Sequence, residues 1–300
     1  MPDAPMTQQP DNCHARPCST YVGAEITGID AAAELGGPIV SFIKASLHKY
    51  GVVFMRNQTL TESGQVSFSR RFGELEMHVL TQYTSAGHPE ILKLSNIIEN
   101  NLPLGLADAG QHWHSDTSYL KQPDLGSILY AREVPAPHQS GDSAGDTMFA
   151  SAQAAYDALE PEMQKRLSGL KAVYSYVSYY EGKLKAGSNR APLTDEQRKK
   201  LPDATHPLIR THPVTARKSI YVNPGHTVRI DGLTPKESQD LLAVLYEHVT
   251  QPKFIYRHQW QRGDLLMWDN CVVQHNAVAD YALPQRRLMH RTTIKGTVPF

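Results

Sequence analysis

Two short segments of the chain carry side chains that could bind a metal ion. The first, residues 113–116 (WHSD), places His114 two positions before Asp116, and the second, residues 268–270 (WDN), is followed by His275. Two imidazoles and one carboxylate are the ligands that hold a ferrous ion on one side and leave coordination positions open for oxygen chemistry. We therefore take His114, Asp116 and His275 as the candidate metal ligands.

The spacing of these residues is compatible with one site but does not choose the metal. A histidine two residues before an aspartate is common by chance, so the pair alone proves little. On an extended strand, however, His114 and Asp116 would project from the same face. His275 comes much later in the chain and could join them from another strand. Because zinc accepts the same ligands, the triad leaves iron and zinc open.

A basic cluster follows the distal histidine at short range. It consists of Arg286, Arg287 and Arg291. A guanidinium group can form two parallel hydrogen bonds with a carboxylate, so an arginine near the metal could hold a carboxylate-bearing cosubstrate. The cluster therefore favours an iron centre that binds a 2-oxo acid.

These residues, with their neighbours in sequence, resemble those of a known family. The chain looks like the iron(II)- and 2-oxoglutarate-dependent dioxygenases of the group that contains taurine dioxygenase and 2,4-dichlorophenoxyacetate dioxygenase, from about Tyr21 to the C-terminus. Four segments carry the resemblance: residues 22–30 (VGAEITGID), 113–118 (WHSDTS), 145–149 (GDTMF) and 268–291 (WDNCVVQHNAVADYALPQRRLMHR). The last is the most specific, because it joins the distal histidine to an arginine pair and a further arginine in one register.

The resemblance implies Fe(II) as the metal, 2-oxoglutarate as cosubstrate and O2 as oxidant. It also implies that Thr147 and Arg287 bind the distal carboxylate of 2-oxoglutarate. Counting strictly from His275 selects Arg286 instead, because the chain carries an extra residue near the loop 280–284 relative to taurine dioxygenase. Aligning the QRR and MHR motifs selects Arg287 instead. We adopt Arg287, because lengthening a loop by one residue costs little free energy.

The same comparison implies an anionic substrate. Arg291 falls on the arginine that holds the substrate sulfonate in taurine dioxygenase, and four residues after Arg287 it would face the same side of a strand. His78 resembles a histidine that contacts the sulfonate, with an ordinary loop histidine as the alternative. Gln111 and His112 are further candidate substrate residues. The residues just before the metal motif depart from the taurine dioxygenase pattern, so a sulfonate, an aryloxyalkanoate or another small carboxylate remains open.

The implied reaction is hydroxylation of that substrate, with succinate and CO2 as coproducts. A hydroxylated carbon that bears sulfur or an ether oxygen would then lose it by C–S or C–O cleavage. Asp116 argues against a halogenase, in which a small residue leaves that coordination position to halide. The alternative is a noncatalytic jelly-roll protein with a metal-binding or sensory role, which would need the triad but not the matched Thr147 and Arg287.

Composition limits the other classes of partner. The chain has 30 Lys and Arg against 30 Asp and Glu, so its formal net charge of zero offers no electrostatic attraction to nucleic acid or an anionic membrane. No apolar run approaches membrane-spanning length, and the N-terminus is polar where a signal peptide would be apolar. We expect a small-molecule partner, a cytoplasmic location and a homo-oligomer.

The predicted fold is mainly β with flanking helices, a double-stranded β-helix (jelly roll, cupin-like). We expect residues 1–20 to be a flexible tail and residues 21–300 to form a single dioxygenase domain with helical insertions. Cys13 and Cys18 flank His14 in that tail but lack the second half of a zinc site. With Cys271 they make three cysteines in a long chain, so no disulfide framework is expected.

Local patterns predict the main elements. Helices are expected at residues 37–49, 61–72, 150–170 with a break at Pro161, and 234–250. Strands are expected at residues 52–54, 87–95, 127–132, 219–223, 254–260, 264–268 and 289–295. Residues 99–110 form a loop able to close over the site, and residues 183–203 form an exposed excursion. The tyrosines of residues 174–180 indicate core packing, or a substrate pocket.

Overall fold

The computed structural model describes residues 12–78, 81–187 and 191–300. In these ranges the chain is mainly β with several helices, as predicted. The strands are β1 His14–Pro17, β2 Ala24–Thr27, β3 Val52–Met55, β4 Thr84–Ser85, β5 His88–Ser95, β6 Ile98–Glu99, β7 Leu102–Pro103, β8 Gly126–Glu133, β9 Thr147–Ser151, β10 Lys171–Tyr174, β11 Ala204–Pro207, β12 Ile209–Thr211, β13 Lys218–Ile220, β14 Thr227–Ile230, β15 Ile255–His258, β16 Leu265–Asp269, β17 Val273–Ala277 and β18 Leu288–Ile294. The helices are α1 Gly37–Tyr50, α2 Glu62–Arg70, α3 Ala152–Asp157, α4 Pro161–Leu167, α5 Tyr176–Lys185, α6 Asp195–Lys199 and α7 Pro235–Val249.

The largest sheet has eight strands in the order β1-β2-β3-β16-β8-β18-β5-β4. Its centre is antiparallel: Trp268 on β16 pairs with Ser127 on β8, and Arg291 on β18 pairs with Leu129 on β8. Every residue of β16 is buried. A strand that is covered on both faces needs a continuous apolar run rather than an alternating one, which is what the sequence LLMW supplies here.

The two faces of this sheet belong to different cores. Val53 on one face packs in a cluster with Ile43 of α1 and Phe68 of α2. The neighbouring Val52 points the other way, into a cluster that contains Phe149 and other residues of the three-stranded sheet β15-β9-β17. Successive side chains of a strand point to opposite faces, so one strand serves both cores. The polar side chains of the candidate site converge in the space between the two sheets.

Helix ends follow the predicted signals. Thr61 accepts a hydrogen bond from the Gly64 N–H at the start of α2. At α7, Thr234 and Glu237 cap each other reciprocally, and Pro235 occupies the first helical turn. Gly51 ends α1 in the left-handed conformation, with φ of 68°. The predicted starts of α2 and α7 depend on hydrogen bonds between residues close in sequence and are confirmed, whereas α2 ends at Arg70, two residues before its predicted end.

The predicted flexible tail is wrong for residues 12–20. Strand β1 lies there and pairs antiparallel with β2, with His14 opposite Thr27. Cys13 is buried in the core cluster under α1. A polar edge strand buries few side chains, so its sequence lacks the apolar pattern by which strands are recognised. Residues 1–11 lie outside the described ranges, and the three cysteines, all inside them, form no disulfide.

Other differences fall on short elements. The helices expected from residue 150 begin at Ala152, because residues 147–151 form the strand β9. Three of the clustered tyrosines, Tyr176, Tyr179 and Tyr180, lie on helix α5, whereas Tyr174 ends the strand β10. The excursion at residues 183–203 contains the helix α6, and its residues 188–190 lie outside the described ranges. No helix in the described part of the chain is long and apolar enough to cross a membrane.

Candidate metal centre

The two predicted segments meet through their backbones. The His114 N–H donates to the His275 carbonyl at 3.1 Å, and the His275 N–H donates to the His114 carbonyl at 2.8 Å. Their imidazole centroids are 4.1 Å apart. The expectation that residues 113–117 form an extended strand holds only at this one bridge, because the chain then turns and Thr117 adopts a positive φ of 49°. The turn, rather than strand alternation, brings Asp116 to the same site.

The three candidate ligands are buried and converge on one point. Asp116 Oδ1 lies 3.6 Å from Nε2 of His114 and 3.9 Å from Nε2 of His275. One ligand atom from each residue lies within 4.8 Å of the other two. Because metal bonds to nitrogen and oxygen are about 2.0–2.2 Å long, atoms up to about 4 Å apart can share a cation. The donor set therefore fits a metal ion.

The protonation states also suit a metal. His114 Nδ1 lies 2.8 Å from the His112 carbonyl, which places the ring proton there and leaves the Nε2 lone pair toward Asp116. Burial and the neighbouring His114 hold the pKa of His275 well below its usual value. Burial alone would raise the pKa of Asp116, but Arg291 and His275 outweigh it and hold that pKa well below the usual range. A neutral imidazole at His275 and an ionised carboxylate at Asp116 are the forms that bind a cation.

Neighbouring side chains hold Asp116 in place. Ser127 Oγ donates to Asp116 Oδ2 at 2.7 Å, and Arg291 Nη1 donates to Oδ1 at 3.2 Å. The Asp116 N–H donates to Asn270 Oδ1 at 3.3 Å, and the Trp268 indole donates to the same oxygen at 3.0 Å. Residues 268–270 thus hold Asp116 in place by hydrogen bonds, in addition to preceding His275 in the chain.

Sequence reasoning missed His226 as a neighbour of the triad. Its Nδ1 lies 2.9 Å from Ser118 Oγ, and its ring stands edge-on to that of His114 with 6.1 Å between centroids. Gly225 lies so close that a Cβ there would be 3.0 Å from the Cβ of His114. A single histidine after a Pro-Gly turn has no ligand spacing, so no sequence signal marked it.

Both predicted cosubstrate residues line one cavity with the metal triad's histidines. This cavity is lined by Thr147, Arg287, His114 and His275. Thr147 Oγ1 accepts a hydrogen bond from the Trp260 indole at 3.0 Å. Arg287 is only 6% exposed, and its Nε has no hydrogen-bond partner among the described residues. A buried guanidinium with open donors is a site for an anion, because burying such a charge without a partner is costly.

The structure separates the two adjacent arginines. Arg286 lies on the surface, where its Nε and Nη2 donate to the Glu133 carboxylate at 3.0 and 3.2 Å. Arg287 points the other way into the cavity. Its backbone is held by Asn96 Oδ1, which accepts from its N–H at 2.9 Å, and by Ser95 Oγ, which donates to its carbonyl at 2.7 Å. Matching the QRR and MHR motifs, rather than counting residues from His275, therefore selects the inward-facing arginine.

The four predicted substrate residues do not all reach this cavity. Arg291 and Gln111 line it. His78 lies behind Arg291, with its Nε2 3.4 Å from Arg291 Nη2. His112 lies on a neighbouring cavity, where its ring centroid is 4.8 Å from that of Tyr179. Adjacent residues of an extended segment point to opposite sides, which separates Gln111 from His112.

The predicted closing loop does lie over the site. Leu106, Ala107, Ala109 and Gly110 all line the cavity. Gly110 has a φ of 71°, and a Cβ there would lie 3.1 Å from Cε1 of His114. The Gly110 carbonyl accepts from the Ala277 N–H at 2.8 Å, so this hydrogen bond fastens the loop two residues beyond the candidate ligand His275. A glycine is needed where the backbone passes this close with that φ.

Comparison with known proteins agrees with this arrangement. A family model described as "Taurine catabolism dioxygenase TauD, TfdA family" matches residues 14–293. The chain belongs to this family. The match begins in β1, well before the expected start near Tyr21, which agrees with the ordered strand found there.

Relatives of this family member cover nearly its whole length. The 2,4-dichlorophenoxyacetate dioxygenase of Cupriavidus pinatubonensis is 32% identical over 93% of this chain and 96% of its own. The sulfate ester dioxygenase of Pseudomonas putida is 33% identical, covering 94% and 89%. Among solved structures, a taurine dioxygenase from Burkholderia xenovorans has a TM-score of 0.79 at 31% identity, covering 96% and 91%. The structure of AAD-2 with Mn(II) and N-oxalylglycine also has a TM-score of 0.79, at 31% identity, covering 96% and 98%.

Membership of this family confirms the predicted class of enzyme. The protein is a 2-oxoglutarate-dependent dioxygenase, and the family uses Fe(II), 2-oxoglutarate and O2. The relatives that match this chain give no support to the noncatalytic alternative.

Proposed function

We propose that the TauD/TfdA family member described here hydroxylates a small anionic substrate, with Fe(II) bound by His114, Asp116 and His275. The observation that carries the proposal is the single cavity that these histidines share with Thr147, Arg287 and Arg291. Bound iron would supply O2 activation coupled to the oxidative decarboxylation of 2-oxoglutarate to succinate and CO2. The chain's own residues bind and orient the two organic molecules.

The 2-oxoglutarate carboxylate distant from the metal would lie between Thr147 and Arg287. The Trp260 indole donates to Thr147 Oγ1, so the threonine hydroxyl proton is left to donate to a carboxylate. Arg287 offers a planar fork of N–H groups for bidentate binding of the same carboxylate. Both side chains are buried, which strengthens these hydrogen bonds relative to those in water.

Arg291 would hold the anionic group of the substrate. Its Nε is buried without a hydrogen-bond partner in the described structure, and it lines the cavity beside the metal ligands. Relatives are named as dioxygenases of 2,4-dichlorophenoxyacetate and sulfate esters, and another is named a sulfonate dioxygenase. Sulfonates, sulfate esters, aryloxyalkanoates and other small carboxylates are therefore the substrate classes we propose. Hydroxylation of a carbon that bears oxygen or sulfur would end in cleavage of that bond.

We also propose the finer fold and organisation. Two sheets that face each other with the site between them support a double-stranded β-helix, or jelly roll, and the described elements support one catalytic domain. The homo-oligomeric state and the cytoplasmic location stay predictions.

A direct experiment tests the function. Protein loaded anaerobically with Fe(II) is mixed with 2-oxoglutarate, O2 and a panel of sulfonates, sulfate esters and aryloxyalkanoates, and succinate is measured. We expect at least one anion to stimulate succinate formation and to be hydroxylated or cleaved in proportion. The His114→Ala and Asp116→Ala variants should bind no Fe(II) and form no succinate, whereas His88→Ala, a histidine outside the site, should behave as the wild type. Absence of 2-oxoglutarate binding, together with no turnover of any anion, would refute the proposal.

A further inference from the structure

One aromatic side chain in the cosubstrate cavity has no role in the proposal above. Tyr281 lies in the loop between β17 and β18 and lines the cavity together with Arg287 and Thr147. The centre of its ring is 5.9 Å from the guanidinium carbon of Arg287. At that distance the negative face of an aromatic ring attracts a cation.

The packing around Gly145 ties the two side chains together. A Cβ at Gly145 would lie 3.2 Å from Arg287 Cδ and 3.2 Å from Tyr281 Cδ1. Both side chains therefore pack against the backbone of Gly145, two residues before Thr147. Gly145 also has a φ of 69°, a conformation that other residues rarely adopt. Arg287, Tyr281 and the segment that leads into β9 thus form one contact group.

The chain just before Tyr281 is fastened to the segment that leads into β9. Asp280 Oδ1 accepts from the Gly145 N–H at 2.7 Å. The Val278 N–H donates to the Asp146 carbonyl at 2.9 Å. The tyrosine ring is therefore presented by a loop segment with fixed hydrogen bonds, although the loop has no regular secondary structure.

The guanidinium of Arg287 needs such a neighbour. Its main chain is held by Ser95 and Asn96, but its Nε has no partner among the described residues. An arginine side chain has several rotatable bonds, and fixing them costs conformational entropy at the moment of binding. A ring beside the guanidinium limits those conformations before a carboxylate arrives.

We propose that Tyr281 is a positioning residue that preorganises Arg287 for the distal carboxylate of 2-oxoglutarate, acting mainly through its ring. This inference rests on the proposed role of Arg287. It goes further in assigning a specific function in cosubstrate affinity to the loop between β17 and β18. The bound carboxylate would contact Arg287 and Thr147, and Tyr281 would act through Arg287.

The test compares variants of Tyr281 by calorimetric titration of 2-oxoglutarate into Mn(II)-loaded protein, which measures binding without turnover. Tyr281→Phe keeps the ring and should bind within about twofold of the wild type. Tyr281→Leu should bind about tenfold more weakly, as expected for loss of a partly buried cation–ring contact. Tyr50→Leu is the matched control, since Lys49 Nζ lies 5.0 Å from the Tyr50 ring outside the cavity, and it should bind as the wild type.

Two further measurements separate positioning from a general structural role. Mn(II) affinity and the KM for the organic substrate should be unchanged in Tyr281→Leu, while the KM for 2-oxoglutarate rises and kcat is kept. In an Arg287→Lys background, the Tyr281→Leu change should have less than a twofold effect, because the planar group it positions is gone. Wild-type affinity in Tyr281→Leu, or an equal loss in Tyr281→Phe, would overturn the inference. If Arg287→Lys itself leaves 2-oxoglutarate binding intact, the proposed function of that arginine fails instead.

Discussion

Arg291 Nη1 donates a hydrogen bond to Asp116 Oδ1 at 3.2 Å, on the carboxylate oxygen that faces both candidate histidine ligands. The proposed anchor of the substrate thus contacts a proposed ligand of the metal directly. Its positive charge is also the main factor that keeps the pKa of Asp116 low against the effect of burial. Substrate binding and metal binding are therefore physically linked in this cavity.

Replacement of Arg291 by Ala should weaken binding of the organic substrate but not of the metal. We expect the KM for the organic substrate to rise by at least tenfold, because a charge-assisted hydrogen bond contributes about 1.5–3 kcal/mol. Fe(II) affinity should be kept or rise, since the variant removes a positive charge that repels the metal and competes for Asp116 Oδ1. The dissociation constant of 2-oxoglutarate at saturating metal should stay near the wild-type value. Equal losses for substrate and 2-oxoglutarate would show that the assigned division of roles between Arg287 and Arg291 is wrong.

The adjacent pair Arg286 and Arg287 offers an internally matched experiment. Arg287→Lys should weaken 2-oxoglutarate binding by about tenfold or more, because lysine cannot form the bidentate contact. Arg286→Lys should leave it unchanged, since that side chain pairs with Glu133 on the surface. Calorimetric titration of 2-oxoglutarate into the Mn(II)-loaded variants measures both. A larger effect from Arg286→Lys would support the strict count from His275 instead.

Removal of the Ser127 hydroxyl should act on the metal rather than on either organic ligand. Ser127→Ala deletes the hydrogen bond to Asp116 Oδ2, and loss of a group that orients a metal ligand typically lowers metal affinity by about 10–100-fold. Competitive titration of Fe(II) or Mn(II) with a chelator gives the affinity. Ser219→Ala is the control, because this buried serine donates to the Cys271 carbonyl instead. Equal metal affinity in Ser127→Ala and the wild type would contradict the expected role.

Acid should destabilise the metal-free protein in a predictable pH range. Burial lowers the pKa of His290 to about 4, and that of His78 to about 4, below the usual value of 6.5. The unfolded chain then binds protons at a higher pH than the folded chain. The contribution of these two histidines to the free energy of unfolding is therefore fully present above pH 6.5 and is lost as the pH falls toward 4. Urea denaturation between pH 7 and pH 4 should show this loss. His290→Gln should reduce it, and an unchanged slope in that variant would refute the assignment.

Parts of the fold were predictable because they depend on neighbours in sequence. The cap of α7 is closed by residues only three positions apart, so Thr234 and Glu237 identify it without any tertiary information. The buried strand β16 was recognisable from its continuous apolar run. Strand β1 was missed because it is an exposed edge strand without an apolar pattern, and strand β9 because its partners lie elsewhere in the chain. For β9, these partners are β15 and β17, about a hundred or more residues later.

The sequence by itself determined the chemistry available to this protein: two histidines and an aspartate for a metal, and arginines for two anions. Side-chain identity sets which atoms can bind a cation or a carboxylate, and that information is fully local. Only the tertiary structure decided which side each residue faces. It turned Arg287 inward and Arg286 outward, separated His112 from Gln111, and brought His226 and Tyr281 to the site. Those outcomes depend on strand pairing and packing between distant segments, because a shift of one residue reverses the face on which a side chain lies.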